Sequence, residues 1–370
     1  MKKMFNTFSM TSQTLKIGWL TFLLLTFCSL SAFSQEALFK NFEELDKHAQ
    51  REAAENRFSG VALVAKDGKV VFLKAYGQAS KRYGVPNKVD TKFNIGSINK
   101  IFTTVAIAKL MEQKKLALDD PLSKFLPEFP SEVAEKVTIK HLLQSQAGWG
   151  DYWDNEKFIA RRPWLRTVSD YMDFIKDIPL DFEPGTNRQH CNTCFEVLGA
   201  VIERVSGQDY FTYIRENVYE PAGMINSDSY ERDISVENLA MGYTNDNSFG
   251  GPPGKDFRRN NMYYLGPIGT PAGGGYSTCE DLLNFVLALQ NHRLLSLDYT
   301  NYLLSRFEGS IGDPFQPRGP IIWMGGAPGV GAFLGISFQS GHTVVVLSNY
   351  DPSVAGRLGE AIFKMLGLSD

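Results

Sequence analysis

The chain has 370 residues, with 41 Asp and Glu against 38 Lys and Arg, for a net charge of −3 at pH 7. No basic stripe or polybasic patch stands out, which argues against nucleic acid or an anionic membrane surface as the partner. The 43% hydrophobic and 12% aromatic content supports a large core in two lobes, and four cysteines are too few for a disulfide scaffold.

Residues 1–34 hold no acid and three lysines, Lys2, Lys3 and Lys16, and then an apolar run over 17–27. The stretch ends in Ala32-Phe33-Ser34, a small-x-small cleavage pattern. It reads as a secretory signal peptide, and the mature protein as periplasmic or secreted. The run is short for a membrane span, so only an uncleaved leader would tether the protein to a membrane.

Residues 36–57 carry Leu38, Phe42, Leu45 and Ala49 at helical spacing. The β-rich runs 61–65 and 70–73 flank Lys66-Asp67-Gly68-Lys69, and an Asp-Gly pair in that position predicts a hairpin. Helical patterns follow over 97–113, 138–144, 168–176, 192–205, 209–218 and 280–290. Residues 245–269, rich in Gly, Pro and Asn, read as a long loop of the kind that forms lids. A second hairpin is predicted from 332–338 and 343–347, and a closing helix over 355–366.

Strands near both ends with helices between them predict an α/β plus all-α fold. An antiparallel sheet is flanked by N- and C-terminal helices, and a helical domain is inserted into it. On this reading residues 35–90 and 300–370 form the α/β domain and 91–299 the helical domain.

The chemistry is concentrated in Phe93-Asn94-Ile95-Gly96-Ser97-Ile98-Asn99-Lys100. On a helix Ser97 and Lys100 share a face, so the amine can reach the hydroxyl. Serine is a weak nucleophile until a base takes its proton, and a desolvated lysine can be that base. Gly96 allows a tight turn into the helix, whose first N–H groups can face a developing oxyanion.

A second stretch, Glu183-Pro184-Gly185 through His190-Cys191-Asn192-Thr193-Cys194 to Gly199, joins it, with Val137-Thr138-Ile139-Lys140-His141-Leu142-Leu143 before it. Glu220-Pro221-Ala222-Gly223-Met224 and Pro271-Ala272-Gly273-Gly274-Gly275-Tyr276-Ser277-Thr278 come after it. In order and spacing these blocks resemble the serine β-lactamase and penicillin-binding-protein superfamily, in its class C and esterase-like branch. The resemblance covers nearly all of the mature chain. It implies an active site between the two domains, Ser97 as the acylated nucleophile and Lys100 as the amine that helps deprotonate it. It also implies that Asn192 holds the lysine and the substrate.

The pattern departs from that family in two places. His190 stands where a tyrosine normally shuttles the proton; imidazole can do general-base work near neutral pH, but it is shorter than a phenol. The third motif, on an edge strand beside the serine, should begin with a cation. Its best match is Trp323-Met324-Gly325, with Trp323 at the cation's place. Gly325 and Gly326 still permit close backbone approach, and the Gly326 N–H can supply a second oxyanion donor beside that of Ser97. Losing the cation disfavours penicillin and D-Ala-D-Ala substrates and favours neutral esters or amides.

Cys191 and Cys194 form a C-x-x-C at a helix start, open to a redox role or a disulfide in an oxidising compartment. No thioredoxin-like pattern surrounds them, and Cys191 falls where the family has a small serine, which favours simple substitution. Trp149, Tyr152, Trp153 and Trp164 lie in the segment that borders the family's cleft, as a substrate wall or as core packing. The five histidines show no metal-binding spacing, so neither a metal nor a cofactor is predicted. The expectation is a serine hydrolase acting on a small-molecule or peptide substrate, an ester or amide, through an acyl-enzyme on Ser97. The competing expectation is a protein that keeps the cleft but only binds, and His190 is the residue that separates the two.

Overall fold

Both ends of the chain supply the central sheet. The computed structural model describes residues 38–153, 155–245 and 258–368, so the leader read in 1–34 and positions 246–257 of the long loop lie outside the described residues. Five antiparallel strands, β1 (Gly60–Lys66), β2 (Lys69–Tyr76), β3 (Ile321–Ala327), β4 (Val330–Ser337) and β5 (His342–Ser348), lie in the order β2-β1-β5-β4-β3. The β1–β2 turn falls at Asp67 and Gly68, both with positive φ, as the Asp-Gly pair requires.

Alternation along the strands sorts the two faces. Val61, Leu63, Leu334, Val345 and Leu347 point into one core, which they share with α2 (Asn99–Glu112), α3 (Asn192–Ser206) and α4 (Cys279–Gln290). Ala62, Val64, Phe333, Val344 and Val346 point to the other side, where α1 (Phe42–Ala54) and α5 (Ser353–Met365) cover them. Helix α1 starts later than the apolar spacing predicts because Asn41 caps it, its side chain accepting from the Glu44 N–H at 2.9 Å. The helix expected over 209–218 is two pieces, an α segment at Tyr210–Ile214 and a π turn at Arg215–Tyr219.

Helix α2 is buried on nearly all sides, which the sequence shows as an apolar run without a polar face. Phe102 makes edge-on contacts with Phe285 and Tyr219 at 5.0 and 5.2 Å. Deleting a ring of this kind costs about 3–5 kcal/mol. A helix held this firmly gives the residues at its N-terminal end fixed positions. Among the described residues no helix is long and apolar enough to cross a membrane.

Candidate active site

Ser97 sits in a 3-10 turn, Gly96–Ile98, that leads directly into α2. Two glycine-lined segments grip this turn. On one side β3 comes so close that a Cβ on Gly325 would lie 1.9 Å from the Ile95 carbonyl oxygen, and one on Gly96 would lie 2.6 Å from the Gly326 nitrogen. Gly96 also has φ +51, a conformation that favours glycine. On the other side residues 270–275 wrap the turn. The Ile95 N–H donates to the Gly275 carbonyl at 2.9 Å, and the Gly274 N–H to the Gly96 carbonyl at 3.2 Å. The Asn99 side chain donates to the Thr270 carbonyl at 2.7 Å.

One turn into α2, Lys100 Nζ lies 3.0 Å from Ser97 Oγ and 2.5 Å from Asn192 Oδ1, and it also contacts the Ala272 carbonyl oxygen. Burial pulls the amine down to about 8, against the charges of Glu196 and Asp151, which hold it up. Glu196, four residues after Asn192 on α3, is fully buried. It accepts hydrogen bonds from Tyr152 Oη at 2.9 Å and Thr270 Oγ1 at 2.6 Å. Burial pushes its carboxyl up to about 7, against these bonds and the charge of Lys100.

His190 is exposed, and its Nδ1 lies 2.9 Å from Asp151 Oδ2. The other oxygen of Asp151 accepts from the Asn192 N–H at 2.7 Å. Burial opposes the charge on Asp151, but the bonds from His190 and Asn192 and the nearby Lys100 outweigh it and hold the carboxyl below its ordinary value. Cys191 and Cys194 are joined in a disulfide across the first turn of α3, so Asn192 is presented from a cross-linked turn.

Above the serine is a cavity of about 250 Å³. Ser97, Gly96, His190, Asn192 and Gly326 line it together with an aromatic wall of Tyr152, Trp153, Phe158 and Tyr171. Among the described residues no group of three His, Cys, Asp or Glu side chains gathers to hold a metal ion.

With this geometry in place, the similarity to known proteins becomes specific. A family model described as Beta-lactamase matches residues 45–368. The chain belongs to the β-lactamase family. It is 28% identical over 320 residues to PbpX of Bacillus subtilis (strain 168), which carries a penicillin-binding-protein name, covering 84% of this chain and 75% of that protein. It is 34% identical over 195 residues to the esterase EstB of Burkholderia gladioli, covering 49% of each. The chain thus spans about half the length of that relative. Among solved structures, the penicillin-binding protein from Bacillus halodurans matches with TM-score 0.74 at 30% identity, covering 86% of this chain and 99% of that one. The fold and the relatives are those of a β-lactamase-related serine hydrolase.

Within this β-lactamase-family site the structure brings together Ser97, Lys100, Asn192 and Gly326, and it sets His190 at the cavity edge. His190 hydrogen-bonds Asp151, not Ser97 or Lys100. Trp323 does not line the cavity; from the edge strand its ring packs against the main core. Gly325 is buried against Ile95 and acts by allowing contact. Of the four aromatic residues singled out in sequence, Tyr152 and Trp153 line the cavity. Trp149 is buried in the core, and Trp164 is exposed. The cysteine pair is bonded and not a simple substitution.

Three residues escaped the sequence reading. Asp151 follows a loop with no motif of its own. Glu196 left a signal, a single acid in the apolar run Phe195-Glu196-Val197-Leu198. Arg232, between Glu231 and Asp233, belongs to no motif yet lines the cavity.

Proposed function

We propose that the protein hydrolyses an ester or amide through a covalent acyl-enzyme on Ser97. The observation that carries this reading is the placement of the Lys100 amine. Asn192 Oδ1 and the Ala272 carbonyl take two of its hydrogens, which turns the third position of the nitrogen toward Ser97 Oγ. In the neutral amine that position is the lone pair, and burial makes the neutral form accessible near pH 8.

Lys100 then accepts the hydroxyl proton as Ser97 Oγ bonds to the substrate carbonyl carbon. The oxyanion is held by the N–H groups of Ser97 and Gly326, a reading supported by the close approach of β3 to the serine turn. Collapse expels the alcohol or amine, which takes the proton, and leaves the acyl-enzyme. Water attacks that ester, its proton passing to Lys100 or to the His190–Asp151 pair, and Ser97 is restored. The esterase name of the Burkholderia gladioli relative supports an ester among the substrates. Export is part of the same reading; the leader pattern and the Cys191–Cys194 disulfide both support it.

The test is intact-mass analysis after exposure to a fluorophosphonate, with Ser97→Ala as control. One adduct, absent in Ser97→Ala, is the expected result. No adduct at any pH would favour the second reading, a cleft that binds without turnover. The bond of His190 to Asp151, in place of one to Ser97 or Lys100, is what speaks for that alternative.

A further inference from the structure

The chain alternates sides at Tyr230-Glu231-Arg232-Asp233. Glu231 and Asp233 turn outward, and both pair with Arg166. Arg232 turns inward and lines the cavity, where it is the single Lys or Arg among the described lining residues. Its flanking acids are thus already engaged by another cation.

Among the described residues the guanidinium meets only neutral oxygens. Nη2 donates to Asn261 Oδ1 at 2.7 Å, and Nη1 points to the Gly266 carbonyl at 3.4 Å. No carboxylate of the described residues pairs with it. Arg258 makes the contrast: it too is a half-buried residue, and it is neutralised by Asp351 at 3.0 Å. Asn261 is itself buried and fixed by a 2.9 Å bond from Nδ2 to the Pro328 carbonyl, so the arginine is held from a rigid anchor. The Arg232 N–H donates to the Pro267 carbonyl at 2.7 Å and fixes its backbone as well.

A guanidinium has five N–H donors in a planar fork, and two are used here. The cavity that Arg232 lines has Tyr152, Trp153, Phe158, Tyr171, Leu265 and Ile268 on its apolar side and Ser97, His190 and Asn192 on its polar side. A half-buried charge with no counter-ion among the described residues is costly unless a ligand supplies one. A carboxylate matches the fork with two parallel hydrogen bonds.

We propose that Arg232 forms an anion subsite and that the substrate carries a carboxylate near its scissile ester or amide. The proposal rests on the hydrolase reading for the word substrate, but the subsite itself can be tested without turnover. It reverses the expectation of neutral substrates drawn from the missing third-motif cation, because the positive charge has moved to a different wall.

Binding of benzoate and benzamide, two aromatic probes of nearly equal shape, is measured by titration calorimetry on the wild-type protein, Arg232→Met and Arg232→Lys. The wild type should bind benzoate at least tenfold more tightly than benzamide. Arg232→Met should lose that difference, and Arg232→Lys should keep part of it. Equal affinities in the wild type, or a preference that survives Arg232→Met, would overturn the subsite. In parallel, kcat/KM is compared for p-nitrophenyl butyrate and its p-nitrophenyl hemisuccinate counterpart, and for butyrate esters of phenol and 3-hydroxybenzoate. The anionic-to-neutral ratio should fall at least tenfold in Arg232→Met in one series, which also places the anion on the acyl or the leaving-group side. Benzoate selectivity with no ester turnover would sink the hydrolase reading while leaving the subsite intact.

Discussion

Glu196 lies one helical turn beyond Asn192 on α3, and the two act on the same Lys100 amine, Asn192 by a hydrogen bond and Glu196 through its charge. An ionised Glu196 favours the lysinium; a protonated one releases the amine to serve as a base. Glu196→Gln removes the charge and should move the acidic limb of the fluorophosphonate labelling rate to lower pH from its wild-type position near pH 8. A purely structural role for Glu196 would slow labelling at every pH and leave the limb where it was.

The same carboxyl has a signature in stability. Its value is raised from 4.5 to about 7, so between those pH values the folded protein keeps a proton that the unfolded chain releases. Unfolding free energy should therefore fall as pH rises through that window, by up to about 3 kcal/mol. Urea denaturation at pH 4.5 and pH 7.5 measures the slope, which Glu196→Gln should flatten.

Gly96→Ala tests the grip on the serine turn. The new methyl would sit 2.6 Å from the Gly326 nitrogen at a φ of +51. The strain should cost about 1–3 kcal/mol of stability. Displacing Ser97 from Gly326 should slow labelling by about 100-fold. Thermal melts and labelling rates on one preparation read both; wild-type labelling in a folded Gly96→Ala protein would refute the close approach.

Asp151 links His190 to the first turn of α3, so the effects of His190→Ala and Asp151→Asn should overlap. Each should slow hydrolysis, and the double variant should be no slower than Asp151→Asn alone. Additive losses in kcat/KM would mean that the two side chains work apart.

Reduction of the Cys191–Cys194 bond should loosen the turn that presents Asn192 to Lys100. A loop this short contributes about 2 kcal/mol in the chain-entropy account. Dithiothreitol should lower the melting temperature by several degrees and slow labelling in the wild type, and it should leave Cys191→Ser/Cys194→Ser unchanged.

Much of the fold was legible because its signals are local. The Asp67-Gly68 turn, the strand alternation and the periodic helices all appear within a few residues of themselves. Ser97, Lys100 and Asn192 were legible through their motifs, and the structure gathers them at one amine. The partnership of Asp151 with His190 was not legible, because it depends on a loop from a different part of the chain meeting the start of α3. Arg232 was hidden for a different reason: in a run of three charges, sequence does not tell which one points inward. The cysteines misled because a serine-like position explains one cysteine and says nothing about its neighbour one turn on.

The clamp on the serine turn sets an order of assembly. Gly60 pairs with Ser348, and the strand that meets Ser97 begins at Ile321, more than two hundred residues after the nucleophile. During synthesis β1 has its hairpin partner β2 early, but its other edge must wait for β5, so an apolar strand stays open to wrong partners. Contacts this far apart in sequence also make for slow folding. The nucleophile and its lysine are therefore made early, but their oxyanion partner arrives late. Appearance of fluorophosphonate reactivity during refolding would time the closing of the sheet.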